Sequence, residues 1–295
     1  MVDIEELRKM LVIDLSSEFN TNVICQLIPK NNVTKTAIII KQNDSVYSPT
    51  LYLEDIYQHY QDVMSYDVVL KQVVRGLKDA INHAKDSNLN PLECLDISKT
   101  KMKIVNQKKN KDWLDTVPHR TVEDLAIVYY IPVDMADGYG SIVINNEVLG
   151  YLNSDGQLSE SDLYDIAYKN VSEDVEVINM NDILLELGMP SYMIPQPSTP
   201  MIVVTNKHRL YGAISLTLTD VLDKIAQDND TDALIVIPSS IHECIVLPDD
   251  DNMDLEQLPD IVANVNLTEV TPEDVLSDNI YLYTSKDKCL KIYKR

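Results

Sequence analysis

Apolar residues recur at helical spacing through residues 3–18 (DIEELRKMLVIDLSSE), behind a first turn of acids, and this predicts an opening helix. VICQLIP (23–29) and TAIIIKQ (36–42), the second rich in β-branched residues, predict a hairpin punctuated by Asn31 and Asn32. SPTLYL (48–53) reads as a short strand running into a helix at 53–64. A further helix over 67–85 takes its apolar face from Val68, Val69, Val73, Val74 and Leu77. Helix, hairpin, strand and two helices make a compact α+β unit.

The pattern lapses over residues 86–120, which are polar and lysine-rich and end at Pro118. It resumes at LAIVYYIPV (125–133), a near-continuous apolar run suited to a strand buried on both faces, with SIVIN (141–145) as its partner across DGYG. Ser159 followed by Asp162 predicts a capped helix from 160 to about 171, with Leu163, Ile166 and Ala167 buried. A helix at 179–187 stops at Gly188 and Pro190, and the Pro-rich stretch 190–200 is an extended connection. Strands follow at 201–205, 233–239 and 243–248, helices at 216–227 and 254–265, and a closing hairpin at 279–284 and 289–293. The expected fold is α+β: two units with mixed, mostly antiparallel sheets and helices packed on one face. The expected division is an N-terminal unit at 1–98, a lysine-rich polar connector at 99–120 and an acidic C-terminal unit at 121–295.

Composition narrows the function classes. The 295 residues carry 25 Lys+Arg and 47 Asp+Glu, a formal net charge of −22 with a pI near 4.4. Direct nucleic-acid binding is not expected of so acidic a chain. The acid is segregated: residues 1–150 hold 16 bases and 21 acids (net −5), residues 151–295 hold 9 and 26 (net −17). Residues 249–278 hold ten acids and no base. No apolar run reaches the roughly 18 residues of a membrane span, and MVDIEELRKM does not read as a signal peptide. Cys25, Cys94, Cys244 and Cys289 form no CxxC pair and read as buried thiols of a cytoplasmic protein.

Candidate chemistry is sparse. IPSSIHECIVLP brings Ser240, His242 and Glu243 into one turn between two apolar strands, where a nucleophile and base can meet. No GxSxG elbow supports that reading, and the bland one has the serines closing the turn. The five histidines lack metal-ligand spacing, so no metal is expected. A calcium loop over 151–162 would have Asn153, Asp155 and Asp162 as ligands but Tyr151 in first place, and a turn before a helix cap accounts for the same residues. Seven glycines and no GxGxxG or GxxxxGK[ST] leave no phosphate cradle, so no cofactor is expected. His119, Arg120 and Asp124 form one polar cluster, and Lys207, His208 and Arg209 form the one basic patch of the acidic half. Together they would suit an anion, and apart they would be ordinary ion-pair partners. Tyrosine is overused, 16 against one Phe, and Tyr52, Tyr57 and Tyr60 would either anchor an interface or line a wet edge of the core with hydroxyls in solvent.

SPTLYLEDIY, VPHRTVEDLAIVYY, TNKHRLYGA, IPSSIHECIVLPDD and EVTPEDVLSDNIYLY follow one another along the chain. In this order they resemble an uncharacterised family of gut Clostridia and related Firmicutes, a domain of unknown function, over roughly residues 20–285. A remoter similarity runs to the YtpQ-like family. The resemblance implies a cytoplasmic setting and supplies no catalytic residues. The expected role is non-enzymatic: an acidic surface at Asp249, Asp250, Asp251, Asp254 and Glu256 takes a basic protein partner. The alternative is a hydrolase or transferase built on Ser240 and His242.

Overall fold

A computed structural model describes residues 2–41, 49–87, 95–135, 138–153, 156, 158–194, 199–249 and 255–294. The chain divides into two compact units, Met1–Asp96 with Val133–Gly140 and Ile97–Pro132 with Ser141–Arg295.

In the first unit, α1 (Ile4–Phe19) begins where the Asp3 carboxylate accepts the Glu6 N–H at 2.8 Å, and it ends at Asn20, whose φ of 47° is left-handed. β1 (Val23–Pro29), β2 (Thr34–Ile40) and β3 (Thr50–Tyr52) form an antiparallel sheet in that order. α2 (Leu53–Val63) and α3 (Tyr66–Ser87) follow. Leu7, Leu11 and Leu15 recur every four residues on α1. They share one core with Ile38, Ile40, Ile56 and Val69. Each such burial is worth about 1.5–3 kcal/mol. The Tyr66 hydroxyl ties α3 to α1 by donating to Asp14 at 2.6 Å.

Further along the chain come β4 (Lys101–Asn106), α4 (Lys111–Leu114), β5 (His119–Val122), β6 (Leu125–Met135) and β7 (Gly138–Val143), which belong to the second unit except where β6 and β7 fall within Val133–Gly140. Their sheet has the order β4-β6-β5, with β7 also on β6. The expected connector at 99–120 is therefore a sheet strand, a short helix and a second strand. Charge masked the signal. Met102 and Ile104 alternate inward and are fully buried, while Lys101 and Lys103 between them stay half-buried.

Next come α5 (Asn146–Leu152), α6 (Glu160–Ser172), β8 (Val175–Asn179), α7 (Met180–Glu186), β9 (Ile202–Asn206), α8 (Thr219–Asp228), β10 (Ala233–Ile237), β11 (Cys244–Pro248), α9 (Leu258–Thr268), β12 (Tyr281–Thr284) and β13 (Cys289–Ile292). The six strands after β7 make one antiparallel sheet, ordered β13-β12-β10-β11-β9-β8. α6 carries the expected capping box at Ser159 and Asp162 and buries Leu163, Ala167 and Val171. α8 buries Leu222, Ile225 and Ala226. The fold is α+β, as the pattern predicts.

Candidate functional site

Residues 238–243 connect β10 to β11, two strands buried in the middle of the six-stranded sheet, so Ser240, His242 and Glu243 stand on rigid support. The turn closes with Ser240 N–H donating to the Glu243 carbonyl at 3.2 Å. Ser240 Oγ accepts the His242 N–H at 3.0 Å, Ile241 N–H donates to the Asp274 carbonyl at 2.8 Å, and Thr205 Oγ1 donates to the His242 carbonyl at 2.9 Å. The serine oxygen thus faces backbone.

Both ring nitrogens of His242 are engaged. Tyr211 N–H donates to Nδ1 at 3.2 Å, and Nε2 lies 3.2 Å from Asp274 Oδ1. A backbone N–H aimed at Nδ1 needs a lone pair there, so these partners assign the neutral ring's proton to Nε2, which donates it to Asp274. Asp274 is steadied by Thr271 Oγ1–H at 2.8 Å. The imidazole also stacks on the Tyr211 ring at 5.9 Å and 17°, and Tyr211 meets Tyr130 edge-on at 5.5 Å. The Lys103 ammonium sits 4.3 Å from the Tyr211 ring centre. A serine–histidine mechanism needs the nitrogen opposite the acid to take the hydroxyl proton. Here that nitrogen accepts a backbone amide, and Ser240 points elsewhere. Cys244, the neighbouring thiol, is fully buried, with Sγ 3.7 Å from Ser215 Oγ, and burial pushes its pKa up to about 12. A thiol so protonated at neutral pH is no nucleophile.

Gly212 holds this arrangement close. A Cβ there would stand 2.5 Å from Thr205 Oγ1 and 2.6 Å from the His242 carbonyl, so only glycine lets the 206–212 loop lie against the turn. Tyr211 precedes it with φ of 60°. Neither Tyr211 nor Asp274 was marked by sequence, though a glycine in so glycine-poor a chain was a usable signal.

The two basic clusters commit their charges to different carboxylates. Arg120 bonds Glu160 at 3.0 Å and lies 3.7 Å over the Tyr164 ring. His119 Nδ1 is 3.0 Å from the Val117 carbonyl. Lys207 approaches Asp174 at 3.8 Å, beside the Lys101–Asp174 ion pair, and Arg209 meets Glu186 at 3.3 Å. His208 N–H donates to Asn206 Oδ1 at 3.1 Å, within its own turn.

Asp124 has a larger role than its place in the cluster suggested. Its carboxylate accepts from Ser277 Oγ at 2.7 Å, Asn279 Nδ2 at 2.9 Å and the Tyr281 hydroxyl at 2.6 Å. LSDNIY is thereby pinned to the β5–β6 turn. Buried tyrosines repeat the theme: Tyr129 donates to Glu160 and Tyr283 to Asp223, the latter at 2.7 Å. Burial, and then the adjacent carboxylate, raises the pKa of Tyr129, Tyr281 and Tyr283. These hydroxyls end on acids inside the molecule. Tyr52 is approached by Lys30 and Lys35 at 4.7 and 5.4 Å.

Of the expected acidic surface, Asp249 follows β11, its N–H donating to the Ala233 carbonyl at 3.0 Å, and Glu256 is exposed ahead of α9. Asp250, Asp251 and Asp254 lie outside the described residues. α9 buries Val262 and Asn266 and exposes Asp260, Ile261, Val265 and Leu267. Of the calcium residues, Asn153 bonds both ways with Leu158, Asp162 serves the helix cap, and Asp155 lies outside the described residues. Among the described residues no three His, Cys, Asp or Glu side chains gather as a metal would require, and no helix is long and apolar enough to cross a membrane.

The model of a family of unknown function, DUF5688, matches residues 4–285. The chain belongs to that family. No curated protein and no solved structure matches it. Within this DUF5688 chain, the two most recognisable strings have structural explanations: IPSSIHE is locked to Tyr211 and Asp274, and LSDNIY to Asp124.

Proposed function

We propose that this protein is a non-enzymatic binding protein whose acidic surface at 249–278 takes a basic protein partner. The observation that carries the reading is the charge segregation, ten acids and no base in that segment. α9 within it sets Ile261 and Leu267 in solvent beside Asp260 and Glu269. A partner that covers the apolar pair while meeting the acids with Lys or Arg recovers both terms. Against an enzyme on Ser240 and His242 stands the hydrogen bonding of the ring, which leaves neither nitrogen for the serine. A reducing compartment, the cytoplasm, fits the free thiols of Cys25, Cys244 and Cys289, of which Cys244 alone is buried as expected and the other two are half-buried, Cys94 lying outside the described residues.

Titration with a helical lysine–leucine peptide, followed by fluorescence anisotropy, tests the reading. Binding should weaken at least tenfold when salt rises from about 0.1 to about 1 M, which shortens the Debye length from about 10 to about 3 Å. The triple variant E256Q/D260N/E269Q and the pair I261S/L267S should each weaken it. An equal charge removal at the exposed Asp228, Asp230 and Asp232 should not. If that control weakens binding as much as the α9 variants do, the attraction is general and the reading falls.

A further inference from the structure

We propose that β8 is an open sheet edge that accepts an extended, lysine-bearing apolar peptide of a partner as a seventh strand. The proposal deepens the reading above, on which it rests for the partner's charge. Asp174 O accepts the Lys207 N–H at 3.1 Å and Met180 N–H donates to Met201 O at 2.9 Å, while 175–179 pair in unbroken register with 202–206. Even-numbered residues therefore address β9, and the N–H and C=O of Val175 and Val177 point away from the sheet.

The opposite edge of the same sheet is defended. On β13, the Tyr293 N–H bond to Ile280 O at 2.9 Å turns Ile292 N–H outward, where Glu123 Oε2 takes it at 3.4 Å. Lys288, Lys291 and Lys294 attend that strand. Charged side chains, lysine above all, are how natural edges repel further strands. β8 reads VEVIN, without Lys or Pro, and among the described residues no side chain caps Val175 or Val177 as Glu123 caps Ile292. Val177 is 50% exposed.

Charge selects the occupant. Of the five acids in residues 170–206, Asp174 pairs with Lys101 and Lys207 and Glu186 with Arg209, while Glu173, Glu176 and Asp182 have no ion pair among the described residues. A second copy would bring Glu176 toward Glu176 and join two chains of −22 each, so like charge opposes self-pairing. A strand alternating Lys and Val supplies the backbone bonds, apolar contacts for Val177 and cations for Glu176.

The probe is a capped octapeptide of alternating lysine and valine, titrated into the isotope-labelled full chain and followed by amide NMR. The Val175 and Val177 amides should shift and gain exchange protection. N-methylation of alternate peptide residues, which removes the strand-pairing donors, should weaken binding about tenfold or more. V177K should weaken it similarly with an unchanged urea midpoint, and I261S/L267S should not affect it. Equal binding by the methylated peptide, shifts confined to α9, or no binding overturns the proposal. In the α9 case the acidic-surface reading survives. Binding that needs Val177 yet does not weaken with salt overturns the lysine-bearing occupant.

Discussion

Two polar knots in the second unit invert what their residue types suggest. His242, beside two serines and an acid, has the components of a catalytic centre, yet its side chain is 30% exposed and serves to fasten the 206–212 loop and the Asp274 turn. Asp124 sits in an unremarkable polar turn, yet it gathers three side-chain donors from 277–281, among them the hydroxyl of the fully buried Tyr281. The chemistry of a side chain therefore ranks the two knots wrongly, and the burial of its partners ranks them correctly. A buried donor that loses its acceptor keeps its full desolvation cost, whereas a half-exposed one recovers water.

Substitution makes the ranking measurable. D124A leaves the buried Tyr281 and Ser277 hydroxyls without their acceptor, at roughly 1–3 kcal/mol per group. A loss of about 3 kcal/mol in urea unfolding is expected, with Y281F in the D124A background adding little because the orphaned hydroxyl is gone. H242A removes a half-exposed ring and should cost about 1 kcal/mol, since water can reach the freed Tyr211 amide and Asp274 carboxylate. H242N, which can still offer an acceptor to Tyr211 N–H, should recover part of that loss. Equal losses for D124A and H242A would break the comparison.

What could be read from sequence follows the same physics. β6, β9, β10 and β11 were legible because strands covered on both faces are continuous apolar runs, and α1, α3 and α8 because their stripes recur every three or four residues. β4 was hidden by Lys101 and Lys103, whose stems lie along the sheet. β8 and α5 were missed for shortness and polar content: VEVIN offers two turns of alternation, and α5 is announced chiefly by its Asn145 cap. The site residues were legible as types and not as roles. Tyr211 and Asp274 lie 31 and 32 residues from His242, and the partners of Asp124 lie 153 to 157 residues away. No local spacing encodes such pairs. The excess of tyrosine over phenylalanine was a visible trace of the tyrosine–carboxylate pairs, because a buried ring that must reach a carboxylate needs its hydroxyl.

The smallest effect separates a knot that carries formal charge from one fed by neutral donors. Asp223 accepts from the hydroxyl of Tyr283, two strand positions along from Tyr281, and pairs with Lys288 at 2.8 Å. The hydrogen bond from Lys288, followed by that from Tyr283, holds the Asp223 carboxyl below its ordinary range. A carboxyl depressed in the folded state binds protons more readily once unfolded, so its stabilisation is present above the ordinary carboxylate pKa of about 4 and is lost as pH falls toward the lowered value. Lys288 and Tyr283 are raised, so their share is present below about pH 10 and is lost as pH climbs beyond it. D223N should therefore lower the urea midpoint modestly at pH 7 and flatten both limbs of the stability profile, with the difference from wild type shrinking below pH 4. K288M should flatten the acid limb in the same direction while leaving Tyr283 its acceptor. A D223N difference that persisted undiminished in acid would mean that the bond acts by shape alone, and the charged and neutral knots would then be alike.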